Sequence, residues 1–213
     1  MRKRITFVLV IFLLLFSSCQ NEPTIPIIQC EDDEILVDGA CQKVKTDFEK
    51  TFDATALMTN YTLSVSIQQL ADLYEMSMKV DEDKSSFTMG TEIEFYEKTA
   101  TGYNYYFPVG DSYRIESITE NPEGSGFHFF KDLEASWFQQ VSGKYFLKSE
   151  YNDDVAVFFQ DEFPGSIVSN LELVVGDTYF EQLIFQVTID SVMYHFNMTL
   201  SAIGETTVTL PTV

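Results

Sequence analysis

From Tyr61 to Ile115, apolar residues return at almost every second position, and the chain between them is polar. Tyr61, Leu63, Val65 and Ile67 alternate with Thr62, Ser64 and Ser66; Met76, Met78 and Val80 alternate with Ser77 and Lys79. Phe87 and Met89 follow, then Ile93 and Phe95, then Tyr103, Tyr105 and Phe107, then Tyr113 and Ile115. A period of two puts successive side chains on opposite faces of a strand, so each run reads as a strand with one face buried. Short polar or glycine turns separate the runs: Asp81-Glu82-Asp83-Lys84, Thr101-Gly102 and Gly110-Asp111. Strands joined this closely can only pair antiparallel. The same alternation returns at Leu171–Val175, Leu183–Ile189, Val192–Leu200 and, more briefly, at Val208 and Leu210.

Helical patterns interrupt the strands. Thr46-Asp47-Phe48-Glu49 has the hydroxyl-to-carboxylate spacing of a capping box, and Phe48, Phe52 and Ala56 fall on one face, predicting a helix over 46–58. Phe130, Leu133, Trp137 and Val141 have helical spacing with Gly143 as a stop. Tyr145–Leu147 is a short strand. Asn152 caps a third helix with a face of Val155, Phe158, Phe159 and Phe163, ended by Pro164-Gly165.

The first 18 residues are of another kind. Arg2, Lys3 and Arg4 precede Ile5–Phe16, twelve residues apolar apart from Thr6. That run is short for a membrane span, which takes about 20 residues, and has the length of a signal-peptide core. The order Leu15-Phe16-Ser17-Ser18-Cys19 resembles a bacterial lipobox. The resemblance implies removal of residues 1–18, acylation of Cys19 and an extracytoplasmic, membrane-anchored protein. Residues 19–29, with two prolines and no amphipathic period, read as a tether.

Export permits disulfides. With Cys19 acylated, Cys30 and Cys41 remain, and Asp38-Gly39 folds the chain back between them. Residues 30–44 are therefore expected to form a disulfide hairpin, and they are similar to the small cysteine hairpins beside the anchors of bacterial surface lipoproteins. A metal site there would need two further ligands, and no other Cys or His lies nearby.

Over 45–213 the element order resembles the LolA/LppX-like group of bacterial lipid-carrying proteins. The residues that carry the likeness are Asn60-Tyr61-Thr62-Leu63-Ser64-Val65-Ser66-Ile67 and the closing Ile203-Gly204-Glu205-Thr206-Thr207-Val208-Thr209-Leu210-Pro211. The resemblance implies an α+β domain in which a curved antiparallel half-barrel sheet wraps around a few helices and leaves an apolar cavity. Most shuttles of that group lack a lipid anchor, whereas LppX-like members carry one, which favours a tethered binder.

The 19 Phe, 11 Tyr and 7 Met supply soft apolar surface for such a cavity. By strand phase, the expected lining is Leu63, Val65, Ile67, Met76, Met78, Phe87, Met89, Phe95, Tyr103 and Tyr105. The opposite phase, including Ser64, Ser77, Glu94 and Asn104, belongs in water, and the 46–58 helix is expected to lay Phe48 and Phe52 over the lining.

Other functions fare worse. Net charge is −20, with 13 Lys and Arg against 33 Asp and Glu, which repels nucleic acid and anionic lipid surfaces, so an acyl group must supply the membrane attachment. No nucleophile elbow, phosphate loop or zinc-protease motif is present, and His128 and His195 read as ordinary sheet residues. The expectation is a binding protein without enzymatic activity, cofactor or metal. Its partners would be the membrane, through the anchor, and a lipid or other hydrophobic ligand. The alternative is a surface interaction or adhesion module of the same fold, with a packed core, a protein partner and no small-molecule ligand.

Overall fold

The computed structural model describes residues 30–31, 33–119, 128–160 and 163–213. The signal peptide, Cys19 and the tether lie outside these. The chain forms two compact units, one ending at Val44 and the other spanning Lys45–Val213.

In the first unit, β1 (Glu34–Val37) and β2 (Ala40–Lys43) form a two-stranded hairpin with Val37 opposite Ala40. Asp38 and Gly39 both have positive φ, 50° and 81°, which a two-residue hairpin turn of this hand requires. The turn brings Cys30 and Cys41 within 5.4 Å at Cα, and they form a disulfide. A double Cys30→Ser, Cys41→Ser variant is expected to lose about 2–3 kcal/mol from this hairpin alone. In differential scanning calorimetry the main transition, which belongs to Lys45–Val213, should stay where it is.

The second unit opens with α1 (Asp47–Ala56). Its capping box forms: Glu49 N donates to Thr46 Oγ1 at 3.2 Å, and Thr46 N donates to Glu49 Oε2 at 2.7 Å. The buried face is Thr51, Phe52 and Thr55 rather than Ala56, which is exposed.

Six strands then run as a meander: β3 (Asn60–Gln69), β4 (Asp72–Asp81), β5 (Lys84–Met89), β6 (Glu92–Thr99), β7 (Gly102–Val109) and β8 (Ser112–Ile118). After residue 128 come two 3₁₀ turns, Phe129–Lys131 and Ala135–Trp137, then β9 (Phe138–Val141) and β10 (Lys144–Leu147). The helix expected across Phe130–Val141 is absent. Ser142 and Gly143 both have positive φ, 52° and 83°, so Gly143 is the second residue of a hairpin turn and not a helix stop. A further 3₁₀ turn, Ser149–Tyr151, leads into α2 (Asn152–Gln160), then β11 (Ile167–Val175), β12 (Phe180–Ile189) and β13 (Val192–Ser201). Residues 206–213 follow without forming the expected last strand.

All strands from β3 onward join one antiparallel sheet in the order β8-β7-β6-β5-β4-β3-β13-β12-β11-β10-β9. The sheet is large and curved, carries few helices and is not closed into a barrel. β13 lies beside β3, with Leu200 opposite Leu63, Met198 opposite Val65 and Phe196 opposite Ile67. Directly opposed residues share a face, so these six lie on one side, here called the inner face. Leu183, Phe185 and Val187 continue it on β12. On β11 a bulge at Asn170, φ 54°, changes the phase, so that Val168, Leu171 and Leu173 are all buried despite their odd spacing.

The helices and turns cover this half of the inner face. Phe129 and Phe159 pack on Phe185, and Phe159 also on Phe196. Phe52 meets Phe138 and Phe180, and Phe48 stacks on Tyr145 at 3.9 Å. Thus α1 covers β9, β10 and β12, not the early strands over which it was expected.

Candidate functional site

The ten residues expected to line a cavity divide four ways. Leu63, Val65 and Met78 are buried and belong to one continuous core with Phe129, Phe130, Phe159 and Phe196. As members of that core they are structural. Ile67, Met76 and Phe87 are half-buried and pack against the edge of that core. Met89, Tyr103 and Tyr105 lie farther out on the same face, Met89 being 57% exposed.

Phe95 is on the other face and is corrected here. The turns between β4 and β5 and between β5 and β6 are two residues long, and they transmit the phase: Met78 opposes Phe87, and Phe87 opposes Glu94. Glu92, Glu94, Tyr96 and Lys98 therefore face inward, while Phe95 faces outward and meets Tyr113 edge-on at 5.6 Å. Glu94, expected in water, is half-buried on the inner face. The residues 92–99 contain apolar side chains in both phases, Ile93 and Phe95 against Tyr96, so periodicity alone chose wrongly. Counting through the two-residue turns would have placed Glu94 correctly.

Beyond the core, β5, β6 and β7 form an aromatic floor. Tyr96 opposes Tyr105, and their rings stack at 5.0 Å and 7°. Phe107 lies 5.2 Å beyond Tyr105. Both phenols donate to one carboxylate, Tyr96 to Glu94 Oε2 at 2.7 Å and Tyr105 to Glu94 Oε1 at 2.6 Å. Burial and then the Glu94 charge push the Tyr105 hydroxyl up to about 12, and the same causes raise Tyr96 further. Both hydroxyls stay protonated and remain donors across the physiological range.

A cavity of 570 Å³ adjoins this floor, lined by Tyr61, Ser85, Tyr96, Lys98, Tyr103 and His128 among others. Its inner wall is ordered by polar contacts: Tyr61 OH and His128 Nδ1 lie 2.8 Å apart, and Lys131 Nζ donates to Met58 O at 2.6 Å while sitting 4.9 Å from the Tyr61 ring centre. The volume is within the range of small-molecule sites. A second cavity of 430 Å³ lies on the outer face among Ser64, Ser66, Ser77, Thr88, Asn197 and Thr199. A third, of 580 Å³, lies between hairpin ends at Gln68, Leu70, Val192, Met193 and His195. Of the predicted lining, only Tyr103 borders the first of these cavities, Val65 and Met76 border the second, and none borders the third.

His195 is an exposed sheet residue 3.4 Å from Gln186 Nε2. Glu34 lies near Cys30 and Cys41, but both sulfurs are committed to the disulfide, which leaves no thiolate for a metal. A disulfide of this kind belongs to an oxidising, extracytoplasmic compartment. No helix among the described residues is long and apolar enough to cross a membrane.

No protein-family model matches the chain, and no curated protein matches it. Among solved structures, the crystal structure of LolA superfamily protein NE2245 from Nitrosomonas europaea is similar over 78% of this chain and 93% of that one, at 8% identity and a TM-score of 0.34.

Proposed function

We propose that this chain is a membrane-anchored extracytoplasmic binding protein, without enzymatic activity, that takes a hydrophobic ligand on the half of its inner face that the described residues leave uncovered. The observation that supports this reading is the uneven filling of that face. Over β3 and β11–β13 it is packed with aromatic and aliphatic side chains. Over β5–β7 it keeps Phe87, Met89, Tyr103 and Tyr105 partly exposed, and Tyr103 borders the 570 Å³ cavity. Apolar side chains left in water gain roughly 25 cal/mol for each Å² that a ligand covers.

Protein purified from its host without detergent, extracted with organic solvent and analysed by mass spectrometry, should release a hydrophobic molecule in near-stoichiometric amount. The same protein should bind N-phenylnaphthylamine with a rise in fluorescence. An empty extract together with no dye binding overturns the reading. Anchoring is tested separately: Cys19→Ala is expected to move the protein from the membrane fraction to the aqueous one, and full retention in membranes would remove the lipobox assignment.

One observation favours the second reading, an interaction module. The hairpin ends carry exposed apolar residues, with Leu70 at 89%, Leu73 at 59% and Met193 at 47%. Leu70 also holds a positive φ of 53°, a conformation that costs a non-glycine residue stability. In that reading the extract is empty, and Leu70→Asn stabilises the fold while weakening partner binding.

A further inference from the structure

We propose that the hydrophobic ligand carries a positively charged organic head group, such as an alkylammonium or quaternary ammonium, and that Glu94 with the rings around it is the subsite for that group. This rests on the apolar-ligand reading above and names the chemical class.

Glu94 stands among aromatic side chains. Phe87 is directly opposite on β5, Tyr96 is two residues along the same strand, and Tyr105 donates to it from β7 with Phe107 next in the row. Moving a carboxylate out of water costs free energy unless an opposite charge or strong hydrogen bonds offset it. Two phenols supply hydrogen bonds here, and neither supplies positive charge. Among the described residues Glu94 makes no ion pair. The inner-face bases nearby are Lys98 and Arg114. Lys98 is four residues along the strand, about 13 Å away. Arg114 is on β8, in the cross-strand row that continues from Glu94 through Phe107 of β7; one strand separates the two side chains and no ion pair joins them. The acids nearest to Glu94 on this face, Glu92 on β6 and Glu116 opposite Tyr105, add further negative charge.

The surroundings also select the kind of cation. Calcium and magnesium need several oxygen ligands around one ion. Glu94 offers one carboxylate whose neighbours are rings. A bulky, weakly hydrated ammonium meets that surface better, because its apolar groups cover the rings and its charge is attracted by their π systems. A phenol that donates to a carboxylate has a more electron-rich ring, which strengthens that attraction. The net charge of −20 raises the local concentration of any cation at long range. That general effect does not depend on Glu94, which makes the two separable.

The test uses the full mature chain with bound N-phenylnaphthylamine, displaced by dodecyltrimethylammonium or by dodecanoate. The two have chains of equal length and heads of opposite charge, and both are used below micellar concentrations at physiological salt. Dodecyltrimethylammonium should displace the dye at a concentration at least tenfold lower than dodecanoate. Glu94→Gln, which retains an acceptor for a tyrosine hydroxyl, should reduce that preference to threefold or less while leaving dodecanoate unchanged. Tyr105→Leu should weaken dodecyltrimethylammonium three- to tenfold. Glu75→Gln removes an equal charge from the opposite face and should preserve the preference. Equal displacement by the two amphiphiles, a preference that survives Glu94→Gln, or one lost equally in Glu75→Gln each overturns the proposal while the hydrophobic-ligand reading stands. Failure of the dye and both amphiphiles to bind removes that reading, and this proposal with it.

Discussion

Phe185→Ala is expected to destabilise the Lys45–Val213 unit by about 3–5 kcal/mol. Phe185 is 1% exposed at the centre of the inner face. Its ring stacks on Phe196 of β13 at 4.9 Å, meets Phe129 of the first 3₁₀ turn edge-on at 5.4 Å and lies 5.7 Å from Phe159 of α2. Three separate segments thus converge on one side chain of β12, and removing it leaves a hole that none can close without disturbing the others. Aromatic pairs of this geometry also contribute roughly 0.5–1.5 kcal/mol beyond their buried area. Urea unfolding should show a lower midpoint with an unchanged slope. Phe95→Ala, at a half-buried position on the outer face, should cost much less. A loss below about 1 kcal/mol at Phe185 would mean that α2 and the 3₁₀ turn do not pack on β12 as described.

The second large effect is expected at Asn60, the first residue of β3. Asn60 Nδ2 donates to Thr206 O at 2.8 Å and to Asp81 Oδ1 at 2.9 Å, while Thr206 N donates to Asn60 Oδ1 at 2.8 Å. Asp81 Oδ2 accepts from Val208 N at 3.1 Å, and Thr62 Oγ1 is 3.0 Å from Thr206 Oγ1. These bonds replace the strand ladder that residues 206–210 were expected to form. They satisfy backbone groups of the tail where it is buried, at Thr206 and Val208. Asn60→Ala removes three hydrogen bonds and leaves Thr206 without its partners on that side, at a cost of about 2–4 kcal/mol. Asn60→Asp keeps one acceptor but sets a second carboxylate against Asp81, and should be at least as damaging. Thermal unfolding measures the stability. Faster proteolysis at the C-terminal tail identifies the cause, and a tail as resistant as in the unsubstituted protein would refute it.

The two segments quoted for the family resemblance, 60–67 and 203–211, are the two that this clasp joins. Their proximity was not visible in either segment alone, because Asn60 and Thr206 are 146 residues apart. Much local structure was legible. The capping box at Thr46, the Asp38-Gly39 hairpin with its flanking cysteines, and the strands of the meander each follow from residues within a few positions of one another. The misread segments are those in which local signals pointed two ways. Phe130–Val141 has helical spacing, but the Ser142-Gly143 turn takes its last residues into a hairpin. β6 has apolar residues in both phases, and that ambiguity hid Glu94.

Side-chain alternation divides every strand into two faces, and turn length passes the division from strand to strand. To that extent the sequence alone determined an antiparallel sheet and, through the two-residue turns, even the side on which Glu94 stands. Alternation does not say which strands from distant parts of the chain become neighbours, or what covers the face they share. The pairing of β13 with β3 placed the late hairpins in the middle of the sheet. The rings of Phe129 and Phe159 then packed on Phe185, Phe159 also on Phe196, and Leu63, Val65 and Met78, expected as cavity lining, belong to the same core. Burial is a property of what arrives from elsewhere, so only the tertiary structure could decide that one half of the inner face is filled and that, among the described residues, Phe87, Met89, Tyr103 and Tyr105 stay partly exposed.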